Sequence, residues 1–153
     1  MDPVVRLAHP QDARDLGMLQ RVAREGMQDV RGGALRLAEC AAVTDWLVLI
    51  DDIDSVVLVG TWCDAVVSYL VMHLSAAKDR GVITQAYVQA EARELGLGDT
   101  LVEWAIAAVR AAGLGGIEAV ALPGDRETKN LFERAGLTAR KLTVYKALPP
   151  TEG

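Results

Sequence analysis

The residues of this chain that are best spaced to do chemistry lie between the end of one β-prone run and the start of a long helical one. They read Val88-Gln89-Ala90-Glu91-Ala92-Arg93-Glu94-Leu95-Gly96-Leu97-Gly98-Asp99-Thr100-Leu101. A strand ending near Val88 leads through a short turn into a loop of form Arg-x-x-Gly-x-Gly, and an amphipathic helix follows at once. Loop N–H groups, added to the free N–H groups of a helix's first turn, make an anion site. Glycine lets a phosphate approach the backbone closely. Taken alone, the same Gly-x-Gly describes equally well a strand-to-helix turn that merely needs glycine. A dinucleotide fingerprint, Gly-x-Gly-x-x-Gly, is disfavoured. Position 101 is leucine, and the loop follows a β meander instead of opening a first βαβ unit.

Other titratable residues each carry a plain and a chemical reading. His73 sits in a β run with alternating apolar neighbours, as a strand histidine or as a base. His9 beside Pro10 reads as a turn residue. Asp51, Asp52 and Asp54 read as a solvated turn, or as a lure for a cationic amine in a chain of net charge -5. Cys40 and Cys63 are too few and too far apart for a disulfide framework or a zinc site, so both read as buried thiols of a reducing compartment. No metal is expected. Trp46, Trp62 and Trp104 read as core or interface, with Trp62 alternatively lining an acceptor pocket.

The elements that must position these residues follow from periodicity. Val4–Leu7 is a short strand. Gln11–Gly26 has Leu16, Leu19, Val22 and Ala23 at helical spacing. Gly32-Gly33 breaks the chain, and Ala34–Ile50 reads as further helix, although Trp46–Ile50 is equally consistent with a strand. Ser55–Trp62 and Ala65–Ser75 are strands joined by a loop of hairpin length, Cys63-Asp64. Val82–Gln89 is another strand. Asp99–Ala112 is the clearest helix, with Leu101, Trp104, Ala105, Ala108, Val109 and Ala112 on one face and Gly113 at its end. Ile117–Leu122 is a strand, Asp125 caps a helix through Ala135, and Leu142–Leu148 is a final strand. A β meander between helical segments predicts an α/β chain (an α+β mixed sheet) with helices on both faces of a central sheet. Residues 1–148 read as one domain and 149–153 as a loose tail.

Composition narrows the function classes. The chain has 153 residues, 51% of them hydrophobic and 24% charged, which excludes wholesale disorder. An acidic balance with no basic stripe argues against nucleic acid. No apolar run approaches the roughly 20 residues of a membrane span. Met1–Arg6 lacks a basic region followed by an apolar stretch, so no signal peptide is expected and the chain is expected in the cytoplasm. The abundance of arginine over lysine, with much alanine, valine and glycine, suits a GC-rich bacterial genome.

The loop, its helix and two later features together resemble the GNAT superfamily of N-acetyltransferases. Lys129-Asn130-Leu131-Phe132-Glu133-Arg134-Ala135-Gly136-Leu137 looks like that family's Asn-x-x-(aromatic)-x-x-x-Gly-Phe helix ending, and the closing run with Tyr145 fits its last strand. The resemblance covers residues 82–148 most closely, 55–81 fairly and 1–54 weakly. It implies a GNAT-like fold and an acyl-CoA cosubstrate, most simply acetyl-CoA. Arg93, Glu94, Leu95, Gly96, Leu97 and Gly98 would then bond the pyrophosphate through their backbone, with a contact from the Thr100 hydroxyl and Asp99 turned away. Tyr87 and Val88 would pair with the pantetheine arm, the Asn130 amide would meet the cofactor, and Phe132 would pack near its acyl or pantetheine end.

Two departures from the family's pattern concern proton transfer. Many members carry a carboxylate base on the fourth strand, where Val82-Ile83-Thr84-Gln85-Ala86 has none. Many place a tyrosine acid near Phe132, which has no proton to give. Backbone N–H groups near Tyr87-Val88 could polarise the thioester. Deprotonation of the amine falls to His73, to Asp51, Asp52 or Asp54, to Asp64, or to bulk water, and Tyr145 is a candidate acid. The resemblance therefore implies an N-acetyltransferase acting by direct attack in a ternary complex on a small-molecule or peptide amine. The alternative is an acyl-CoA-binding module without turnover. No nucleic-acid or membrane partner is expected, and a homodimer is left open.

Overall fold

The computed structural model describes residues 2–151. Five strands form one mixed sheet in chain order: β1 (Val4–Leu7), β2 (Ser55–Trp62), β3 (Ala65–Ser75), β4 (Arg80–Val88) and β5 (Gly116–Ala119). The first four are antiparallel neighbours, and β5 runs parallel to β4. Helices α1 (Ala13–Met27), α2 (Gly33–Glu39), α3 (Trp46–Asp51), α4 (Leu97–Ala111) and α5 (Arg126–Arg134) complete it. The expected α/β class, with a mixed sheet covered on both faces, is what forms.

Period-two alternation sorts the strand residues between two cores. Leu58, Leu70, Met72 and Ile83 face α4, which answers with Leu97, Leu101, Val102, Ala105 and Val109. Val57, Val59, Tyr69 and Val71 face α1 and α3, which supply Leu16, Leu19 and Trp46. The edge of the Trp46 ring meets Tyr69 at 5.9 Å. The β2–β3 loop is the expected two-residue hairpin. Cys63 (φ 52°) and Asp64 (φ 64°) both lie in the left-handed region, as a type I′ turn requires.

Several boundaries differ from the sequence reading. The helix expected over Ala34–Ile50 is two helices, and Trp46–Ile50 is helical. Between them the chain is extended at Cys40 and again at Asp45, whose carboxylate caps α3 by accepting Val48 N at 3.1 Å. The break is held from α1. The Gln20 amide donates to Val43 O (3.0 Å) and accepts from Val43 N (2.8 Å), taking both groups a continuous helix would have used internally. The strand expected to reach Leu122 stops at Ala119. No strand forms over Leu142–Leu148, where Leu142, Val144, Tyr145 and Leu148 are exposed. β-propensity there has no ladder to join, and an isolated run cannot hold extended structure by itself. The tail expected from 149 includes residues 152 and 153, which lie outside the described residues.

One irregularity shapes the sheet. Val71 pairs with Gln85 and Met72 with Ile83, so Thr84 is an extra residue on β4. Such a bulge bends its strand and increases the local twist. β4 and β5 are paired only through Ile83↔Ala119. Past the bulge they part, and a cleft opens between them.

Candidate active site

The turn after β4 forms as the sequence suggested. A 3₁₀ segment, Ala90–Leu95, ends at Gly96, which caps α4 with φ +77°. A Cβ there would meet nothing within 4 Å, so it is the dihedral and not space that calls for glycine. Thr100 N bonds Gly96 O at 3.2 Å, which leaves the N–H groups of Leu97, Gly98 and Asp99 without an intrahelical acceptor. These N–H groups, with the helix dipole, are what the loop can offer to an anion.

Several side chains of the loop face elsewhere. Arg93 Nε donates to Val88 O (3.2 Å), and its Nη1 lies 2.8 Å from Glu127 on α5. Asp99 turns to Arg134 (3.1 Å), away from the loop's open N–H groups. The Thr100 hydroxyl donates to Gly96 O (3.1 Å), so its proton is already committed. A Cβ on Gly98 would sit 3.3 Å from a Leu131 methyl, so the missing side chain also makes room for the α4–α5 contact. Glu94 is exposed, Leu95 is half-buried, and Leu97 is fully buried in the α4 core.

The opened edge of β4 has a definite polarity. Tyr87 and Gln85 pair with Tyr69 and Val71, and Gln89 N donates back to Val67 O (2.8 Å). In an antiparallel ladder alternate residues turn their N–H and C=O outward. Thr84, Ala86 and Val88 are those residues. Thr84 O accepts Arg36 Nη2 (3.1 Å) and Val88 O accepts Arg93, so the outward pair left between them belongs to Ala86, with the Val88 N–H beside it. The free groups at this edge are therefore those of Ala86 and the Val88 N–H, while Tyr87 turns its backbone to β3.

The cleft is walled by Thr84–Ala86 of β4, Ala119 of β5 with Val120 and Leu122 beyond it, Thr128 and Phe132 of α5, Arg24 of α1, and Arg36 of α2 with Cys40 just beyond it. Tyr69 lines it from β3. Its hydroxyl donates to Gln85 Oε1 (2.7 Å), and Gln85 Nε2 donates to Gln20 Oε1 (2.8 Å). Burial pushes the Tyr69 phenol well above its ordinary value, opposed in part by the charge of Arg24, so it stays protonated. Asp125 spends both carboxylate oxygens on Thr128, at 3.1 Å to N and 2.6 Å to Oγ1.

Phe132, 6% exposed, packs in the α4 core and lines the cleft. Asn130 lies on the exposed side of α5. His73 is exposed at the far end of β3, paired with Ser55 and Val82, where its charge helps to lower the Asp52 carboxyl. The main cause of that lowering is the Ser55 hydroxyl bond (2.7 Å). Tyr145 lies outside the sheet. Neither candidate proton carrier is brought to the cleft.

Arg24, Arg36 and Cys40 are cleft residues that sequence reasoning passed over. Arg24 did leave a signal: it continues the Leu16–Gln20 stripe at four-residue spacing, and a charge in a buried stripe needs a reason. Among the described residues no group of three His, Cys, Asp or Glu could hold a metal, and no helix is long and apolar enough to cross a membrane.

Comparison with known proteins agrees with this architecture. No curated protein sequence matches the chain. The BH1408 protein of Bacillus halodurans, as a tetramutant, superposes with a TM-score of 0.75 at 19% identity, covering 95% of this chain and 99% of its own. An aminoglycoside acetyltransferase from an uncultured soil metagenomic sample, in complex with trehalose, superposes with a TM-score of 0.67 at 14% identity and 97% coverage of both chains. AAC(6')-Iy, in complex with the bisubstrate analogue CoA-S-monomethyl-acetylneamine, gives 0.71 at 8% identity, covering 97% of this chain and 99% of its own. Residues 31–137, which hold the bulged strand, the glycine turn and most of the cleft's walls, match the acetyltransferase (GNAT) family, and the chain belongs to that family.

Proposed function

We propose that this protein transfers an acetyl group from acetyl-CoA to a primary amine by direct attack in a ternary complex. The observation that carries the reading is the continuity of one strand end: the outward groups of Ala86 and Val88 run directly into the open N–H groups of Leu97, Gly98 and Asp99. A long cosubstrate with amides at one end and a pyrophosphate at the other matches that order of groups. The pyrophosphate would lie on the α4 N-terminus, and the pantetheine amides would add to the β4 edge as an extra strand. The Val88 N–H is placed to polarise the thioester carbonyl. The amine nitrogen attacks that carbon, the C–S bond breaks, CoA leaves as thiolate, and the amine's proton passes to water.

Among the described residues the carboxylate lining the cleft, Asp125, is held by Thr128, and Phe132 has no proton to exchange, so no dedicated base is in place to take that proton. The neutral fraction of the acceptor then limits the rate. Lysine-like amines, with a pKa of about 10.4, should react faster up to about pH 9, and less basic amines should shift the curve to lower pH. A pH–rate series with two amines of different basicity, following CoA thiol release, tests this. A plateau above pH 7 that stays put when the amine changes would show a protein base. The same lack of a free base favours a second reading, an acyl-CoA-binding module, which predicts calorimetric binding of acetyl-CoA with no thiol release for any amine.

A further inference from the structure

Resting on that reading, we propose that the acceptor amine also bears a carboxylate, held by Arg24 and Arg36, so that the substrate class is amino acids or short peptides and not polycationic amines. Both guanidiniums are half-buried and line the same cleft beside the opened edge of β4. They meet around Cys40. Arg24 donates to Cys40 O (2.8 Å) and Leu37 O (3.4 Å), while Arg36 and the Cys40 thiol both reach Thr84 O, at 3.1 and 3.8 Å.

A guanidinium has five N–H donors. These bonds use two donors of Arg24 and one of Arg36, all on backbone carbonyls. Among the described residues neither guanidinium has a carboxylate within 4.0 Å, whereas Arg6, Arg80, Arg93 and Arg134 each have one. The cleft's one carboxylate, Asp125, is occupied by Thr128. Tyr69, also facing the cleft, is neutral. The pocket beside the reacting carbonyl is therefore net positive in a chain of charge -5. Spare guanidinium donors in that setting suit a bidentate carboxylate. A polyamine or aminoglycoside would meet like charge there.

The test has two stages. Calorimetry with acetyl-CoA comes first; absence of binding would remove the acetyltransferase reading and this inference with it. Thiol release is then measured for matched pairs: the common amino acids and several dipeptides, each against its C-terminal amide, with spermidine and an aminoglycoside as cationic probes. The expected result is a preference of roughly 10-fold or more in kcat/KM for at least one free carboxylate over its amide, the size of a charge-assisted contact. Arg36→Gln and Arg24→Gln should each bring the ratio of kcat/KM for free carboxylate over amide toward one, the loss falling on KM for the carboxylate-bearing member of the pair. If acetyl-CoA binds but amides or cationic amines react as well, or no carboxylate-bearing amine reacts, the inference fails while the cosubstrate reading stands. A preference that survives in both variants would likewise overturn the assignment. If one variant does not fold, the wild-type matched pairs and the other variant still decide.

Discussion

Replacing Gln20 by leucine should cost this fold more than its conservative volume suggests. Gln20 is 6% exposed and makes three hydrogen bonds at once: to Val43 O, from Val43 N and from Gln85 Nε2. Leucine keeps most of the volume and none of the bonds. Val43 is half-buried, so its two backbone groups regain only part of their hydration when orphaned. Orphaning a buried polar group costs about 1–3 kcal/mol; taking the low end for each of the three partners, and allowing for the apolar gain of leucine, leaves about 2–3 kcal/mol. At this chain length that corresponds to a Tm lower by roughly 5–12 °C. Circular dichroism melts would read the shift, and native-state hydrogen exchange should show the Val43 amide losing its protection. A melt within about 2 °C of wild type, or unchanged exchange at Val43, would refute the claim that this one amide holds the break between α2 and α3.

Three further outcomes follow from other contacts. Arg6 bonds both carboxylate oxygens of buried Asp12 (2.6 and 3.0 Å) and, as the main cause, holds its carboxyl below the ordinary value. Because the folded value lies below the unfolded one of about 3.9, this stabilisation is complete above that pH and is lost as pH falls through the lower folded value. Arg6→Ala should cost about 2 kcal/mol at pH 7 and flatten the acid limb of a stability–pH curve, and an acid limb unchanged from wild type would count against it. Of the three tyrosines, Tyr69 should resist ionisation in an alkaline ultraviolet titration until the fold is lost, because burial holds its phenol protonated. Three indistinguishable steps would contradict this. The double change Cys63→Asn with Asp64→Gly places preferred residues at two left-handed positions and should raise stability by about 1 kcal/mol in a denaturant melt.

What could be read from the sequence was whatever local periodicity determines. β2 and β3 have the expected bounds because alternation and turn length fix both. The glycine turn and α4 were legible because strand, turn and amphipathic face follow one another directly. The break between α2 and α3 was not, since its cause is a side chain 23 residues away. That the missing side chain of Gly98 makes room for Leu131 was not legible either, a packing fact with no local signature. The Leu142–Leu148 run has strand propensity but no partner edge in this structure. Ala86 displaces Tyr87 and the Val88 carbonyl at the opened edge because the outward parity of β4 is set by its pairing with β3, and the carbonyl is taken by Arg93.

The extra residue at Thr84 has a consequence for how such a chain can vary. A bulge sets two residues against one, so deleting it returns the strand to plain alternation without turning its neighbours over. Ile83 and Ala86 would still face α4, and Gln85 and Tyr87 would still face α1. What would go is the bend, and β4 could run on beside the stretch after Ala119, closing the opening. One codon thus separates a sheet with a reaction cleft from a continuous sheet with the same two cores. Loss of function by that route would leave a well-folded protein, indistinguishable by expression or solubility from its active parent.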